Sequence, residues 1–300
     1  MALNVVIAGA SGFLGGHLSD ELRARGHSVV SLVRRPAHSA HESSWDPYAG
    51  IYDRDVVEWA DVVVNLAGTP TIGNPHSRTW ARNLRQSRVT TTQVLARAIA
   101  DSERKPAFVA GNAIAWYGDH GDEVVTEASD SRGDSLLTEV TREWQDAAMP
   151  AAEAGARVCI LRTSPVMHRS GPPLKQLRLL TRVGLGARLG DGRQHMAMIS
   201  LRDWIGGTAH LVENDVDGPA NLCCPRTPTN EEFTDALGRA VHRKAFLVAP
   251  SAAIRVGAGP LAPEALGSIN LRPVVLEESG YAFRDRTVDE VIRAGLSGQR

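Results

Sequence analysis

The sequence predicts an α/β fold: a doubly wound parallel sheet with helices on both faces, followed by a smaller C-terminal lobe. Three observations predict it. An apolar, β-branched run (Val5-Val6-Ile7-Ala8) enters a glycine-rich turn and leaves it as a helical pattern with Phe13, Leu14, Leu18 and Leu22 on one face. Strand and helix patterns then alternate six times up to Arg162. Beyond that point the chain becomes loop-rich and shows no further clean strand–helix repeat.

Taken in order, Ser28 to Val33 reads as the second strand, and the polar, turn-rich stretch from His38 to Tyr52 as a loop around a short element. Asp61 to Gly68 is a buried strand with a small-residue end, and a long helix from about Thr79 to Ala100 stops before Lys105-Pro106. Ala107 to Ala110 begins a strand that runs on to Trp116-Tyr117-Gly118, residues 119–135 are acidic and irregular, Leu136 to Ala154 reads as one helix, and Ala156 to Arg162 as the next strand. In the second half, Thr229-Asn230-Glu231-Glu232 and Thr287-Val288-Asp289-Glu290 are capping boxes, each opening a helix. The expected division is a nucleotide-binding domain over residues 1–166, with 198–222 returning to it, and a smaller closing lobe over 167–300.

Composition narrows the partners. A formal net charge of −1 argues against nucleic acid or an acidic membrane recruited by bulk charge, and 43% hydrophobic residues are ample for a core. No eighteen-residue apolar run and no secretory leader pattern are visible. The three cysteines (Cys159, Cys223, Cys224) form neither a disulfide framework nor a metal-ligand spacing. These features point to a cytoplasmic protein with a small-molecule partner and no metal; they leave the oligomeric state open.

The glycine turn carries the first functional signal. Gly9 permits the tight turn off the strand, Gly12 lets the backbone come close to a pyrophosphate, and Gly15 lets the helix pack against the sheet. The backbone N–H groups and dipole at the start of that helix suit phosphate. About twenty residues on, where an NAD site places an acid for the ribose 2′-hydroxyl, stand Val33, Arg34 and Arg35. A guanidinium there holds a 2′-phosphate and an acid repels it, so NADP(H) is the expected cofactor. A solvated surface pair of arginines is the alternative.

Gly9-x-x-Gly12-x-x-Gly15, Asn65-Leu66-Ala67-Gly68, Trp116-Tyr117-Gly118 and Gly190-Asp191-Gly192-Arg193-Gln194 followed by Asp203 resemble the extended short-chain dehydrogenase/reductases, a Rossmann-fold superfamily. Trp45-Asp46-Pro47, Ser87-Arg88, Trp144, Arg162-Thr163 and Gly184-Leu185-Gly186 resemble its atypical, epimerase-like branch, and the similarity covers essentially the whole chain. The resemblance implies NADP binding, with Ser11, Gly12, Phe13 and Leu14 at the pyrophosphate and Arg34 at the 2′-phosphate. It further implies Leu66 and Ala67 near the adenosine, Arg88 facing the cofactor and Ser164 near the nicotinamide.

One departure from the superfamily bears on chemistry. Its catalysis resembles proton transfer by a tyrosine whose pKa is lowered by a lysine four residues on. The only lysines here, Lys105, Lys175 and Lys244, stand four residues after Asp101, Gly171 and Ala240. The aligned helix offers Leu137 and Thr141, or Thr138 and Arg142, and the usual serine or threonine is replaced by Asn112 or Ala113. Substitute groups are Tyr117, Asp119 and His120 on one loop, Gln194 and His195 on another, and Asn112. For Tyr117 a packed aromatic is the competing reading, and for the two histidines a solvated loop position. Two functions follow: an NADP(H)-dependent oxidoreductase or epimerase-like enzyme acting on a small carbonyl or nucleotide sugar, or a non-catalytic NADP(H)-binding redox sensor.

Overall fold

Val5, Val6, Ile7 and Ala8 are wholly buried, which is why the chain begins with an uninterrupted apolar run: a strand covered on both faces has no solvent side to make polar. The structure, a computed structural model, describes residues 1–71, 73–244 and 246–298. Seven strands form one sheet: β1 (Asn4–Ala8), β2 (Ser28–Val33), β3 (Glu42–Ser44), β4 (Val62–Asn65), β5 (Ala107–Ala113), β6 (Val158–Thr163) and β7 (Gly218–Leu222). Their order is β3-β2-β1-β4-β5-β6-β7, and the neighbours from β3 to β5 are parallel, with Ile7 opposite Ser31 on one side and Val64 on the other. The order reverses between β1 and β4, the switch point at whose carboxyl ends open α/β sheets bind ligands.

The helices are α1 (Phe13–Ala24), α2 (Arg54–Trp59), α3 (Arg78–Asp101), α4 (Leu136–Asp146), α5 (Met149–Glu153), α6 (Leu174–Arg182) and α7 (Leu201–Glu213). They continue with α8 (Asn230–Ala240), α9 (Ser251–Ala258), α10 (Ala262–Leu266), α11 (Val274–Glu278) and α12 (Val288–Ser297). The single helix expected over 136–154 is two, because Pro150 lacks the N–H a helix interior needs and is tolerated in the first turn of α5. The strand expected to run from Ala107 to Gly118 ends at Ala113 and turns through a 3₁₀ segment, Ile114–Trp116.

The chain divides into two compact units. The first comprises Met1–Asn112, Val140–Leu161 and Thr208–Pro219; the second comprises Ala113–Glu139, Arg162–Gly207 and Ala220–Arg300. Residues 208–219 fall in the first unit, inside the 198–222 stretch expected to return to it; the departures are that residues 113–139 belong with the later chain and that the second unit is no smaller than the first. Two of the five passages between the units fall near the carboxyl ends of β5 and β6, and the others lie within α4, α7 and β7.

In the first unit Leu32, Trp45, Val57, Leu95, Ile99, Phe108 and Ile160 form one buried cluster around the sheet. Each such side chain contributes about 1.5–3 kcal/mol. At the amino ends of the strands a cavity of about 550 Å³ is lined by Met1, Leu3, Arg25, His27 and Glu213. Its polar groups are structural: His27 takes the Leu3 N–H on Nδ1 at 3.0 Å and meets Glu213 through Nε2 at 3.0 Å.

In the second unit both capping boxes form, Thr229 with Glu232 and Thr287 with Glu290. They start α8 and α12, which bury Phe233, Leu237, Val291 and Ile292 with Met167, Leu174 and Met198. Asp203, fully buried, accepts the Tyr281 hydroxyl at 2.9 Å and the N–H groups of Arg284 (2.9 Å) and Asp285 (2.8 Å), and Arg202 grips Asp285 through two bonds of 2.7 and 2.5 Å. Burial pushes the Asp203 carboxyl up from its ordinary pKa, and these donors oppose that shift.

The glycines of the first turn differ in what they permit. A Cβ on Gly15 would lie 2.2 Å from the Gly9 carbonyl oxygen, whereas one on Gly16 would meet nothing nearer than 3.4 Å. Gly15→Ala is therefore expected to destabilise by about 1–3 kcal/mol in urea unfolding. Gly16→Ala, gaining helix propensity, is expected to be neutral or to stabilise by up to about 1 kcal/mol.

Candidate functional site

The cradle is built where β1 and β4 end. Gly9 has a positive φ of 85°, and a Cβ on it would sit 2.6 Å from the carbonyl of Leu66, so the two strand ends are in backbone contact. Leu66 N–H donates to the Ala8 carbonyl at 2.9 Å and Gly12 N–H to the Gly9 carbonyl at 2.9 Å, which closes the turn. Gly12 is the N-cap of α1; it supplies no side-chain cap, and the first turn of the helix has no acidic residue. Ser11, Gly12 and Phe13 are exposed and Leu14 is half-buried. The positive end of the helix dipole thus faces outward with no carboxylate of α1 to neutralise it.

The far wall is fixed by a buried polar network that no sequence motif marks. Asn65 ends β4, donates to the Thr92 hydroxyl of α3 at 2.8 Å and accepts the Ala67 N–H at 3.0 Å. Trp144 of α4 donates to the same Thr92 hydroxyl at 2.8 Å. Its ring lies under Arg88, whose guanidinium carbon is 5.2 Å from the ring centroid. A Cβ on Gly68 would be 3.5 Å from the Arg88 side chain, which places the guanidinium directly against this corner. Arg88 donates to the Leu84 carbonyl at 3.2 Å and has no carboxylate partner among the described residues. Burial pushes its pKa down to about 10. The structure therefore brings Gly9, Ser11, Gly12, Phe13, Leu14, Gly15, Leu66, Ala67, Gly68 and Arg88 onto one region of the first unit. The sequence signal for the supporting network was present in the polar residues Ser87, Thr91 and Thr92, which lie on a buried face of α3.

The two arginines after β2 separate. Arg35 makes a two-pronged pair with Glu42 of β3, at 2.9 and 2.6 Å, and Glu42 also accepts the His38 N–H at 2.9 Å. The Arg35 guanidinium and this N–H hold the Glu42 carboxyl down at about 2. Arg34 is exposed and has no ion-pair partner among the described residues. The expectation that both arginines face a ligand is corrected for Arg35, whose charge is engaged within the turn.

The candidate proton donors are placed less favourably for chemistry. Tyr117 is 0% exposed; its hydroxyl donates to Asn221 Oδ1 at 2.7 Å and accepts from Arg162 at 2.8 Å. Arg162 itself stacks on Trp116, 3.5 Å from the ring centroid, and beside Tyr117. Burial pushes the Tyr117 phenol up to about 12, against the opposing pull of Arg162. A phenol so raised is the reverse of an activated one, so Tyr117 is a packed core residue. Asn112 is buried and donates to the Thr141 carbonyl at 3.0 Å, a bond that holds α4. Ser164 is buried with its hydroxyl on the Leu222 carbonyl at 2.6 Å, so its one proton serves the backbone.

His120, expected to be solvated, is buried with Nε2 3.5 Å from Asp130. Asp119 accepts the N–H groups of Gly121 (2.9 Å) and Ser268 (3.1 Å), and Gln194 donates to the Leu189 carbonyl at 3.0 Å. His195 is half-buried: Nδ1 is 3.3 Å from the Ser268 hydroxyl and 3.9 Å from Asp122, and Nε2 has no hydrogen-bond partner among the described residues. Tyr117, Ser164 and His195 belong to the second unit, whereas Asn112 belongs to the first. The cysteines are buried, with pKa values raised by burial, and no group of three potential metal ligands occurs among the described residues.

Comparisons with known proteins agree with this geometry. Residues 5–222 match the NAD dependent epimerase/dehydratase family, and residues 249–294 match a domain of unknown function, DUF1731. The chain is 40% identical over 291 residues to an epimerase family protein of Mycobacterium bovis, covering 96% of each. Among solved structures it is similar to human epimerase family protein SDR39U1 crystallised with NADPH, at 28% identity and a TM-score of 0.87, covering 98% of this chain and 99% of that one. It is also similar to a nucleoside-diphosphate sugar epimerase of Corynebacterium glutamicum, at 30% identity and a TM-score of 0.79, covering 98% of this chain and 58% of that one. No helix of the described residues is long and apolar enough to cross a membrane. With a glycine turn at the switch point of its sheet and a family match spanning that sheet, the chain belongs to the NAD-dependent epimerase/dehydratase family, among its SDR39U1-like members.

Proposed function

We propose that this chain binds NADP(H) on its first unit and acts as an atypical, epimerase-like oxidoreductase on a small carbonyl compound or nucleotide sugar. The observation that carries the reading is Arg88: a guanidinium with its pKa lowered by burial and no carboxylate partner among the described residues, beside Gly68. A desolvated cation is costly unless an anion meets it. The uncapped start of α1 favours the same charge. The NADPH in the crystal structure of the human relative supports the identity of that anion.

In this reading the backbone from Ser11 to Leu14 holds the pyrophosphate, Leu66 and Ala67 take the adenosine, and Arg34 takes the 2′-phosphate. Glu42, the acid nearest to Arg34 in sequence, is paired with Arg35. Bound NADP(H) supplies a hydride donor or acceptor, and the chain supplies orientation and a proton. With Tyr117 and Asn112 engaged elsewhere, His195 is the strongest remaining candidate to move that proton. Ser268 and Asp122 lie at its Nδ1, which leaves Nε2 for a reacting oxygen. The engagement of Tyr117 and Asn112 also favours a second reading, in which the chain binds NADP(H) without catalysis and signals its redox state.

Calorimetric titration tests the cofactor: NADPH is expected to bind more tightly than NADH. Arg34→Ala should weaken NADPH about 10- to 100-fold while leaving NADH unchanged; equal affinities in the unmodified chain would overturn the assignment. His195→Gln should keep NADPH affinity and abolish turnover of any substrate found, and full turnover in that variant would remove the histidine from the mechanism. Tyr117→Phe should act on stability instead, costing about 1–3 kcal/mol by stranding Arg162 and Asn221. Because the folded phenol is raised, its contribution is present below the unfolded pKa of about 10 and is lost as pH rises through about 12. An ultraviolet titration should therefore show one phenolate that forms only near that pH or on unfolding.

A further inference from the structure

The near-neutral total charge conceals a strong segregation. Residues 174–190 and 241–263 contain no aspartate or glutamate but seven cations: Lys175, Arg178, Arg182, Arg188, Arg243, Lys244 and Arg255. Two of the chain's three lysines are among them. The same two stretches hold most of the large apolar side chains that the second unit leaves in solvent: Leu179 (63% exposed), Val183 (62%), Leu185 (57%), Phe246 (80%) and Val256 (78%), with Leu180, Leu247 and Val248 less exposed.

The stretches are joined into one surface. Strand 247–249 pairs in parallel with strand 187–189, Leu185 N–H returns to the Leu180 carbonyl, and Arg243 Nε donates to the Arg182 carbonyl at the end of α6 at 3.3 Å. The eight apolar residues together leave on the order of 900 Å² exposed, distributed over α6, the turn after it, strand 247–249 and α9. Of the cations, Arg188 is paired with Glu231 and Arg178 is half-buried, while Lys175, Arg182, Arg243, Lys244 and Arg255 are exposed.

From this juxtaposition of exposed apolar side chains with a fringe in which lysine and arginine outnumber the nearby acids Asp191 and Glu231, we infer that the surface formed by α6, strand 247–249 and α9 docks on an anionic lipid surface. Charge complementarity decides the occupant. A second copy would set one cationic fringe against another, whereas an anionic bilayer meets both halves of the face. The apolar side chains enter the acyl boundary and the lysines and arginines lie at the headgroups. This is peripheral docking and needs no spanning helix. It acts locally, through a patch whose charge the rest of the chain cancels in the total.

Flotation of the full chain with lipid vesicles tests it. Binding is expected to vesicles containing phosphatidylglycerol and not to pure phosphatidylcholine, and it should disappear in about 1 M salt, where charges are screened beyond about 3 Å. Lys175→Gln, Arg182→Gln and Lys244→Gln should each lower the partition coefficient about fivefold. Phe246→Ser combined with Val256→Ser should abolish binding while leaving the circular dichroism spectrum and thermal unfolding unchanged, which separates loss of docking from loss of fold. Failure to bind anionic vesicles at low salt would overturn the inference, as would equal binding to both lipids. A concentration-dependent dimer that Phe246→Ser dissolves would also overturn it, by assigning the face to a second copy.

Discussion

The carbonyl oxygen of Gly9 occupies space that a side chain on Gly15 would need, and the backbone of Gly9 abuts that of Leu66. This three-way approach of β1, α1 and β4 is the constraint on which the cradle depends. It fixes where α1 begins and leaves its N-terminus capped by a glycine that contributes no side-chain acceptor. It also carries the chain from β4 into the Leu66-Ala67-Gly68 corner, where Gly68 borders the Arg88 side chain that lies over Trp144. The same close approach that packs the helix onto the sheet therefore produces a region of positive potential at the switch point.

Much of this was legible in the sequence because it depends on local chemistry. A glycine required by a positive φ or by backbone contact, a capping box and an apolar parallel strand are each specified within a few residues, and Gly9, Gly15, Thr229 and Thr287 behave as read. The site residues that changed meaning are those whose role depends on a distant partner. Arg34 and Arg35 are equivalent by sequence, and Glu42 in β3 distinguishes them. Tyr117 is locked by Asn221 and Arg162, more than forty positions away, and Ser164 by Leu222. No spacing pattern encodes those partners. The grouping of residues 113–139 with the later chain has a related cause, since it depends on distant partners such as Asn221 for Tyr117 and Ser268 for Asp119.

The second unit carries a different physical character. Its interior is held by carboxylates that accept backbone N–H groups: Asp203 pins residues 284–285, and Glu127 takes the N–H groups of Asn221 and Val275. Its surface over α6 and α9 separates apolar and cationic groups from acidic ones. A single total charge averages that separation away, so composition alone pointed away from a lipid partner, and only the pairing of strands 187–189 and 247–249 assembles the face.

The central claim is that Arg88 is a desolvated cation awaiting a phosphate-bearing ligand, and its most direct test is thermal unfolding of the unmodified chain and of Arg88→Gln, each with and without NADPH. Burial lowers the folded pKa of Arg88 to about 10, so the guanidinium stays charged at neutral pH and its desolvation opposes folding there. The account predicts that Arg88→Gln leaves the ligand-free chain as stable or more stable, and removes most of the upward shift that NADPH gives the unmodified chain. A ligand-free Arg88→Gln chain that is markedly less stable, yet keeps the full NADPH shift, would show that Arg88 serves only to pack Trp144 and would contradict the account.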